Sequence, residues 1–439
     1  MDQTYDAIVI GAGVIGAAVG LELARGGRRT LNVDALPAAG YGSTSNSCAI
    51  IRVHYSTLDG TALAYDGYFY WKHWADYLDC ADERGLDERG LAVFHDCGCL
   101  VMKTQQNDRL AKVLKTVEAL DIPHEHWDAD QVRAALPGYD LACHWPAKLM
   151  NDADFGAPTG GALKGGVYFP TAGYISDPQL ASHNLQRAAE AAGGAFLFNR
   201  RVVEIPVSGG HVQGVVLDDG TRIAAPVVVN VAGPHSAQVN RLAGAEADMR
   251  ITTQALRQEV VHVRAPEGLD FEKNGLVISD SDIACYCRPE TGNHILVGSE
   301  DPDCDPREMV DPDAFNRDLT DQAVAQAFRY AQRLPALKVS QSPKGVVDLY
   351  DVTEDWIPIY DRSCIDGFYM AVGSSGNQFK NAPVAGRMMA ALIDYCEGGG
   401  DHDAQPLRFK LSNLDHSIDC GSFSRLREVN QDSSFSVLG

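Results

Sequence analysis

The sequence predicts an α/β fold: a Rossmann-like domain interleaved with a β-rich α+β domain. Three observations predict it. Ile8-Val9-Ile10-Gly11-Ala12-Gly13-Val14-Ile15-Gly16 reads as a strand, a glycine turn and a helix start, and Asp34 closes the next apolar run. Residues 250–300 break into alternating strand-like segments. From Lys344 the chain returns to the style of its start, with Phe368-Tyr369-Met370-Ala371-Val372 entering the turn at Gly373. That return predicts interleaving: 1–90, 145–250 and 340–400 form the first domain, 91–144 and 251–339 the second, and 401–439 a tail.

Each element has its own signal. Residues 5–34 form one βαβ unit, with Ala17, Leu21 and Leu23 on the helix's apolar surface and Gly26-Gly27 stopping it. Residues 37–52 are rich in Gly, Ser and Asn and end in Ala49-Ile50-Ile51, as a loop over a ligand would that feeds a buried segment. Stretch 62–84 carries Tyr65, Phe69, Trp74 and Leu78 at helical spacing, read as core packing. A strand over 98–103, helices over 108–120 and 128–136, and a helix opened by Pro178 follow. Asp218-Asp219-Gly220-Thr221 marks a hairpin, and Val227-Val228-Val229-Asn230-Val231 enters Ala232-Gly233-Pro234. Residues 312–334 read as a helix. The polar tail, with an apolar anchor at Phe409-Lys410-Leu411, is expected to wrap the surface or meet a partner, so a homo-oligomer or a partner subunit stays open.

The composition excludes some classes. The 439 residues suit two domains, and 45% hydrophobic against 22% charged residues allows a large interior. The formal net charge of −22 opposes nucleic acid and anionic membranes, so an anionic substrate would need local cations. The first strand begins near Tyr5, and no apolar run reaches the roughly eighteen residues of a membrane span. A cytoplasmic protein without membrane insertion is the expectation. The eleven cysteines are scattered; Cys97/Cys99 and Cys285/Cys287 lack zinc spacing, so reduced structural thiols and no metal are expected.

The glycines point to a dinucleotide. Gly11 permits an unusual backbone, Gly13 lets phosphate approach the main chain, and Gly16 lets helix and strand pack closely. The helix N-terminus, through Val14 and Ile15, faces the pyrophosphate with unpaired N–H groups. Asp34, with Ala35 beside it, can accept ribose hydroxyls and disfavours a 2′-phosphate. These residues alone leave FAD and NAD open.

Further blocks resolve that choice. Gly42-Ser43-Thr44 through Ile50-Ile51-Arg52, Val228 through Gly233, and Tyr350-Asp351-Val352-Thr353-Glu354-Asp355 through Gly373-Ser374-Ser375-Gly376-Asn377-Gln378-Phe379-Lys380-Asn381-Ala382-Pro383 follow the glycine motif in order. The chain resembles the FAD-dependent D-amino-acid oxidase superfamily over residues 5–395. Within it, sarcosine oxidase β-subunits, sarcosine oxidases and dimethylglycine dehydrogenases look nearest. The resemblance implies an FAD-binding domain carrying a β-rich substrate domain. It implies that Val202 or Val203 holds the adenine side. Ser43, Thr44 and Asn46 would lie near the flavin, with Ala232 and Gly233 in the cofactor site. Gly373, Gly376, Asn377, Gln378, Phe379 and Lys380 would approach the flavin's pyrimidine side or ribityl chain. Backbone N–H groups of the 373–376 turn would face the ring and stabilise charge gathering there.

Arg52 ends an apolar run and Lys380 opens a helix; buried cations need an anionic partner. An internal salt bridge or a surface chain is the plain alternative. In the sarcosine oxidase pattern, the matching residues bind the substrate carboxylate, which implies a small amino acid or N-alkyl amino acid. Tyr286 and Arg288 could face the same pocket, or lie on ordinary sheet surface; Glu300 and His294 are weaker candidates. No cysteine stands at 346–350 and Asn46 takes the place of a tethering histidine, so the FAD is expected to be non-covalent. Ser176 replaces the histidine that carries a second flavin, and Leu296 stands where sarcosine oxidases place an oxygen-activating lysine. The implied activity is oxidation of a C–N bond by hydride transfer to flavin N5. Oxidation of D-amino acids, hydroxyproline or opines, and a role as flavin-bearing subunit, remain as alternatives.

Overall fold

The computed structural model describes residues 3–80, 90–105 and 107–438. A six-stranded sheet runs in the order Ala195–Leu197, Thr30–Val33, Ala7–Ile10, Val227–Asn230, Phe368–Val372, Ile359–Arg362. Its first five strands are parallel and the last pair is antiparallel. Strand alternation divides its side chains between two layers. Ala7, Val9, Val227 and Val229 face Met388, Met389, Leu392 and Ile393 of the helix Ala382–Glu397. Ile8, Ile10 and Val228 face a four-stranded layer through Val215, Leu217 and Ile223. Helix Val14–Arg25 packs between Ala382–Glu397 and Pro178–Ala191.

The second half is an eight-stranded sheet ordered Lys344–Val352, Gln254–Arg264, His294–Ser299, Cys285–Glu290, Val277–Asp280, Cys99–Met102, Gly165–Phe169, Glu125–Asp128. Helix Asp321–Arg333 covers one face, where Ile278, Cys285, Cys287 and Val297 meet Ala323, Ala327 and Tyr330. The other face carries Val277, Ser279, Tyr286 and Val260 toward the first half. Two of these strands, Gly165–Phe169 and Lys344–Val352, come from sequence ranges assigned above to the FAD-binding domain. The chain therefore crosses between its sheets at places composition does not mark.

Other expectations shift locally. The aromatic stretch 62–84 folds as Leu58–Lys72 and Trp74–Tyr77, and its last residues, 81–84, lie outside the described ones. The helix expected over 312–334 starts only at Asp321, where the Thr320 side chain caps it; residues 312–317 instead run as a loop along a large cavity. No disulfide joins the eleven cysteines, and no group of side chains among the described residues could hold a metal. Among those residues no helix is long and apolar enough to cross a membrane.

Candidate active site

A cavity of about 1110 Å³ opens between the two sheets. One part of its wall is the glycine turn. Gly11 sits at φ +117°, and a Cβ there would lie 2.3 Å from the Val231 carbonyl oxygen, so only glycine fits. Gly13 caps helix Val14–Arg25 with no side-chain bond, and the Val14 N–H donates to Thr44 Oγ1 at 3.2 Å. Asp34 accepts from the Ala12 and Leu36 amides at 2.7 and 2.8 Å. Burial pushes its carboxyl up, and those two amides pull it back. Gly11, Gly13, Val14, Ile15, Gly16, Asp34, Ala35, Ala232, Gly233, Val202 and Val203 all line the cavity.

This wall suits FAD. The helix N-terminus brings N–H groups and a positive dipole end to a side-chain-free approach, and a half-buried carboxylate, Asp34, stands beyond it. The cavity is also large enough for a dinucleotide, since ordinary ligand pockets measure roughly 300–1,000 Å³.

The next wall is the 42–47 loop. Ser43 Oγ and Asn46 Nδ2 both donate to Asp348, at 3.0 and 2.6 Å. Asp348 belongs to strand Lys344–Val352, so one carboxylate stitches the loop to the second sheet across the cavity lining. Beside it, Asp351 organises the 373–376 turn. It accepts from the Gly373 N–H at 2.7 Å, from the Ser374 N–H at 3.1 Å, and from the Ser374 hydroxyl. This corrects the expectation for Gly373. Its amide is committed to Asp351, and Gly373 does not line the cavity. Gly376, Asn377, Gln378, Phe379 and Lys380 do. Gly376, at φ +69°, leaves room for the Tyr350 ring, 2.3 Å from where a Cβ would stand.

The two cations meet at one end. Strand Ile50–Ile51 pairs with Gly173–Ile175 and delivers Arg52 into the cavity wall. The turn Phe379–Asn381 delivers Lys380; Trp71 holds it by donating Nε1–H to the Lys380 carbonyl at 2.7 Å and by stacking on Phe379. The Arg52 guanidinium lies 4.2 Å from the Tyr55 ring centre, and Lys380 Nζ lies 5.3 Å from the same centre. Lys380 Nζ donates to the Tyr55 hydroxyl at 2.7 Å and to the Asn377 carbonyl at 2.8 Å. Burial, then the neighbouring Arg52 charge, holds its pKa well below the usual lysine range. Neither cation has a carboxylate within salt-bridge distance among the described residues, so the internal ion pair weighed above is absent.

Tyr286 lines the cavity, its hydroxyl 3.4 Å from that of Tyr350 and 3.7 Å from Cys48 Sγ. Arg288 does not. Its Nε donates to the Cys48 carbonyl at 2.6 Å, Nη2 pairs with Glu290 at 3.0 Å, and the guanidinium stacks on Tyr174. It braces the 42–52 segment from behind. Leu296 is buried against Cys48 and Val260, off the cavity lining. Glu300 lies one hydrogen bond back, accepting from the cavity-lining Ser279 at 2.6 Å, with its carboxyl raised to about 8 by burial. His294 is not among the lining residues.

Sequence reasoning missed Tyr55, Ser279, Gln258 and Asp348, which no local pattern sets apart from the polar residues elsewhere in the chain. It also missed Val437 and Leu438, which line the cavity from the far end of the tail. The tail is anchored on its own chain. Arg425, 1% exposed, pairs with Asp248, Asp361 and Asp403, and Arg427 pairs with Asp355. Within the tail, Arg408–Lys410 and Ser417–Asp419 pair as a hairpin.

Comparisons with known proteins agree with this fold. The chain is 26% identical over 416 residues to a glycine oxidase of Geobacillus kaustophilus (strain HTA426), covering 91% of this chain and 96% of that one. The crystal structure of a glycine oxidase from Geobacillus kaustophilus superposes with a TM-score of 0.71 at 21% identity, over 92% of this chain and 98% of that one. An L-proline dehydrogenase from P. horikoshii shares the fold with a TM-score of 0.74 at 17% identity, over 97% and 98% of the two chains. An N-methyl-L-tryptophan oxidase of Yersinia pestis (strain Pestoides F) is 27% identical over 229 residues, 51% of this chain and 53% of its own length. The family described as FAD dependent oxidoreductase matches residues 6–392, and with its glycine cradle and two buried cations this chain belongs to that family.

Proposed function

We propose that the protein oxidises the C–N bond of a small amine that carries a carboxylate, with an N-methyl or other secondary amino acid as the favoured substrate. The observation that carries this reading is the convergence of Arg52 and Lys380 on one ring, Tyr55, in a cavity whose other wall is a dinucleotide cradle. Two buried cations without a partner carboxylate suit a ligand that brings its own. The glycine oxidase and N-methyl-L-tryptophan oxidase likenesses support an amino-acid substrate.

FAD, when bound, supplies a flavin ring that accepts hydride from the carbon beside the substrate nitrogen. The protein's part is placement. Arg52 offers a planar fork to the carboxylate and Lys380 a point charge, which together fix the orientation of that C–H bond. Tyr286 and Tyr350 hold their hydroxyl protons, since burial pushes both well above the usual range. They offer neutral hydrogen-bond partners to the substrate amine, whose lone pair must be free as C=N character develops. The resulting iminium is hydrolysed by water to an amine and a carbonyl compound.

We infer a non-covalent FAD. The cysteines lining the cavity, Cys48 and Cys99, are buried thiols with raised pKa, poorly suited to form a thioether. Eleven cysteines without a disulfide support a reducing, cytoplasmic setting.

The test is anaerobic mixing of the FAD-loaded protein with sarcosine, dimethylglycine, proline, hydroxyprolines, D-amino acids and opines. Bleaching of the flavin by carboxylate-bearing secondary amines, and its loss in Arg52→Ala with FAD retained, is the expected result. Bleaching by a decarboxylated analogue as fast as by its parent acid would refute the reading.

A further inference from the structure

The Arg52 guanidinium is not free in the structure. Nη1 donates to the His54 carbonyl, and Nη2 donates to the carbonyls of Val437 at 2.9 Å and Leu438 at 2.7 Å. A guanidinium has two faces that can clasp a carboxylate with parallel hydrogen bonds, one through Nε and Nη2 and one through Nη1 and Nη2. Both faces need an Nη2 hydrogen, and Nη2 already donates to two carbonyls of the tail. A carboxylate therefore cannot form a bidentate clasp with Arg52 while residues 437–438 stay where they are.

The segment that does this is tethered upstream. Ser433 Oγ donates to the Asp355 carbonyl, and Arg427 pairs with the Asp355 carboxylate. Arg307 donates to the Phe435 carbonyl at 3.0 Å while its guanidinium lies over the Trp356 ring. Val437 packs with Leu256, Val352 and Trp356. Beyond Phe435 the segment forms no strand or helix, and Leu438 lies in the cavity lining itself. These residues also lie beyond 392, outside the span matched by the family.

We propose that residues 433–438 form a substrate-displaced strap, in which the carbonyls of Val437 and Leu438 hold the carboxylate-binding face of Arg52 until an anionic substrate takes their place. This rests on the reading of Arg52 given above and deepens it. A neutral carbonyl accepts a weaker hydrogen bond from a guanidinium than a carboxylate does, so the right ligand wins the exchange locally. It must also lift Val437 from its apolar seat. The strap thus lowers affinity for every carboxylate and penalises most those whose bulk needs the space of Leu438. Water or a neutral amine, which cannot outbid the carbonyls, leaves the strap closed.

The experiment titrates acetate and benzoate, a small and a bulky monocarboxylate, into the FAD-loaded protein and follows the flavin absorbance. The variants are a chain ended after Asp432, Arg307→Ala, which loosens the strap without touching the cavity, and Arg52→Ala. Ending the chain at Asp432 should tighten both ligands by about fivefold or more, as expected for removing competing hydrogen bonds of ordinary net strength, with the larger gain for benzoate. Arg307→Ala should move both in the same direction by less, and Arg52→Ala should abolish the response. Unchanged or weakened binding in the shortened chain and in Arg307→Ala would overturn the strap, because the carbonyls would then be orienting Arg52 and not competing for it. If the shortened chain fails to retain FAD, the Arg307→Ala result decides alone. Should neither carboxylate perturb the flavin in any variant, the carboxylate-site reading falls and the strap with it.

Discussion

At the dinucleotide end of the cavity the wall is mostly backbone, whereas at the Arg52 end it is mostly charged and aromatic side chains with partners of their own. Gly13 caps helix Val14–Arg25 without a side-chain bond, Thr44 takes up the Val14 N–H, and the glycines leave the approach to this turn free of side chains, so a cofactor meets a site already shaped for it. Arg52 and Lys380 are instead satisfied by carbonyls and a tyrosine hydroxyl. A ligand arriving there must replace interactions the protein already has. The first end is suited to hold its occupant permanently, and the second to exchange it.

The largest break in this comparison is expected at Gly11. A side chain there would collide with the Val231 carbonyl and be held at φ +117°. Gly11→Val should abolish FAD retention, giving a colourless protein with a lowered melting temperature, since such backbone strain alone costs about 1–3 kcal/mol. A yellow variant with unchanged stability would show that the cradle tolerates displacement.

At the opposite end the effect should be on affinity and should depend on pH. Lys380→Met is expected to raise KM for the carboxylate substrate about tenfold to a hundredfold, the range of one charge-assisted hydrogen bond, with FAD still bound. Because the Lys380 pKa is lowered, its charge is present at low pH and disappears as pH rises through that lowered value. Wild-type affinity should therefore fall with rising pH well before an ordinary lysine titrates, and the Met variant should lose that dependence. Parallel profiles for the two proteins would remove Lys380 from carboxylate binding.

Glu300 sharpens the comparison through stability. Its carboxyl is raised from 4.5 to about 8, so the folded protein keeps a proton that the unfolded chain releases between those values. Its stabilising contribution is complete below 4.5 and is lost as pH rises through about 8. The slope is at most about 1.4 kcal/mol per pH unit. Glu300→Gln keeps a neutral side chain on Ser279 and should flatten that decline, read from denaturant midpoints across the pH range. The smallest effect belongs to Arg201, whose half-exposed pair with Asp313 fastens the 312–317 loop beside the cofactor end. Arg201→Ala should weaken FAD by no more than about fivefold, as exposed pairs are worth about 0–1 kcal/mol. A loss far beyond that would mean that the loop carries the cofactor.

Legibility in the sequence divides along the same line. The glycine turn, Asp34 and the 42–46 loop were readable because backbone freedom and chain order leave a local trace. Arg52 is legible because a cation that ends an apolar run is conspicuous, whereas Lys380 stands among Asn377, Gln378 and Asn381 and is picked out by the family resemblance. Gly373 was read correctly as a turn and incorrectly as a donor to the ligand, since nothing local announces that the Asp351 carboxylate takes its amide. Arg288 was drawn to the pocket by its strand position, yet the Cys48 carbonyl and Glu290 hold it elsewhere. The 312–317 loop reads as helix because it runs straight into one and Thr320 looks like any other threonine.

The dinucleotide cradle and the candidacy of Arg52 are legible in residues adjacent in the chain: glycines at fixed spacing, and a charge that ends an apolar run. What the two cations touch is settled by packing between distant segments. Lys380 meets the Tyr55 hydroxyl across 325 positions, and two of the carbonyls that accept from Arg52 lie 385 and 386 positions away. Backbone carbonyls are the same at every residue, so no pattern of side chains marks the two that fill this site. Their selection comes from the packing that brings the tail across the molecule.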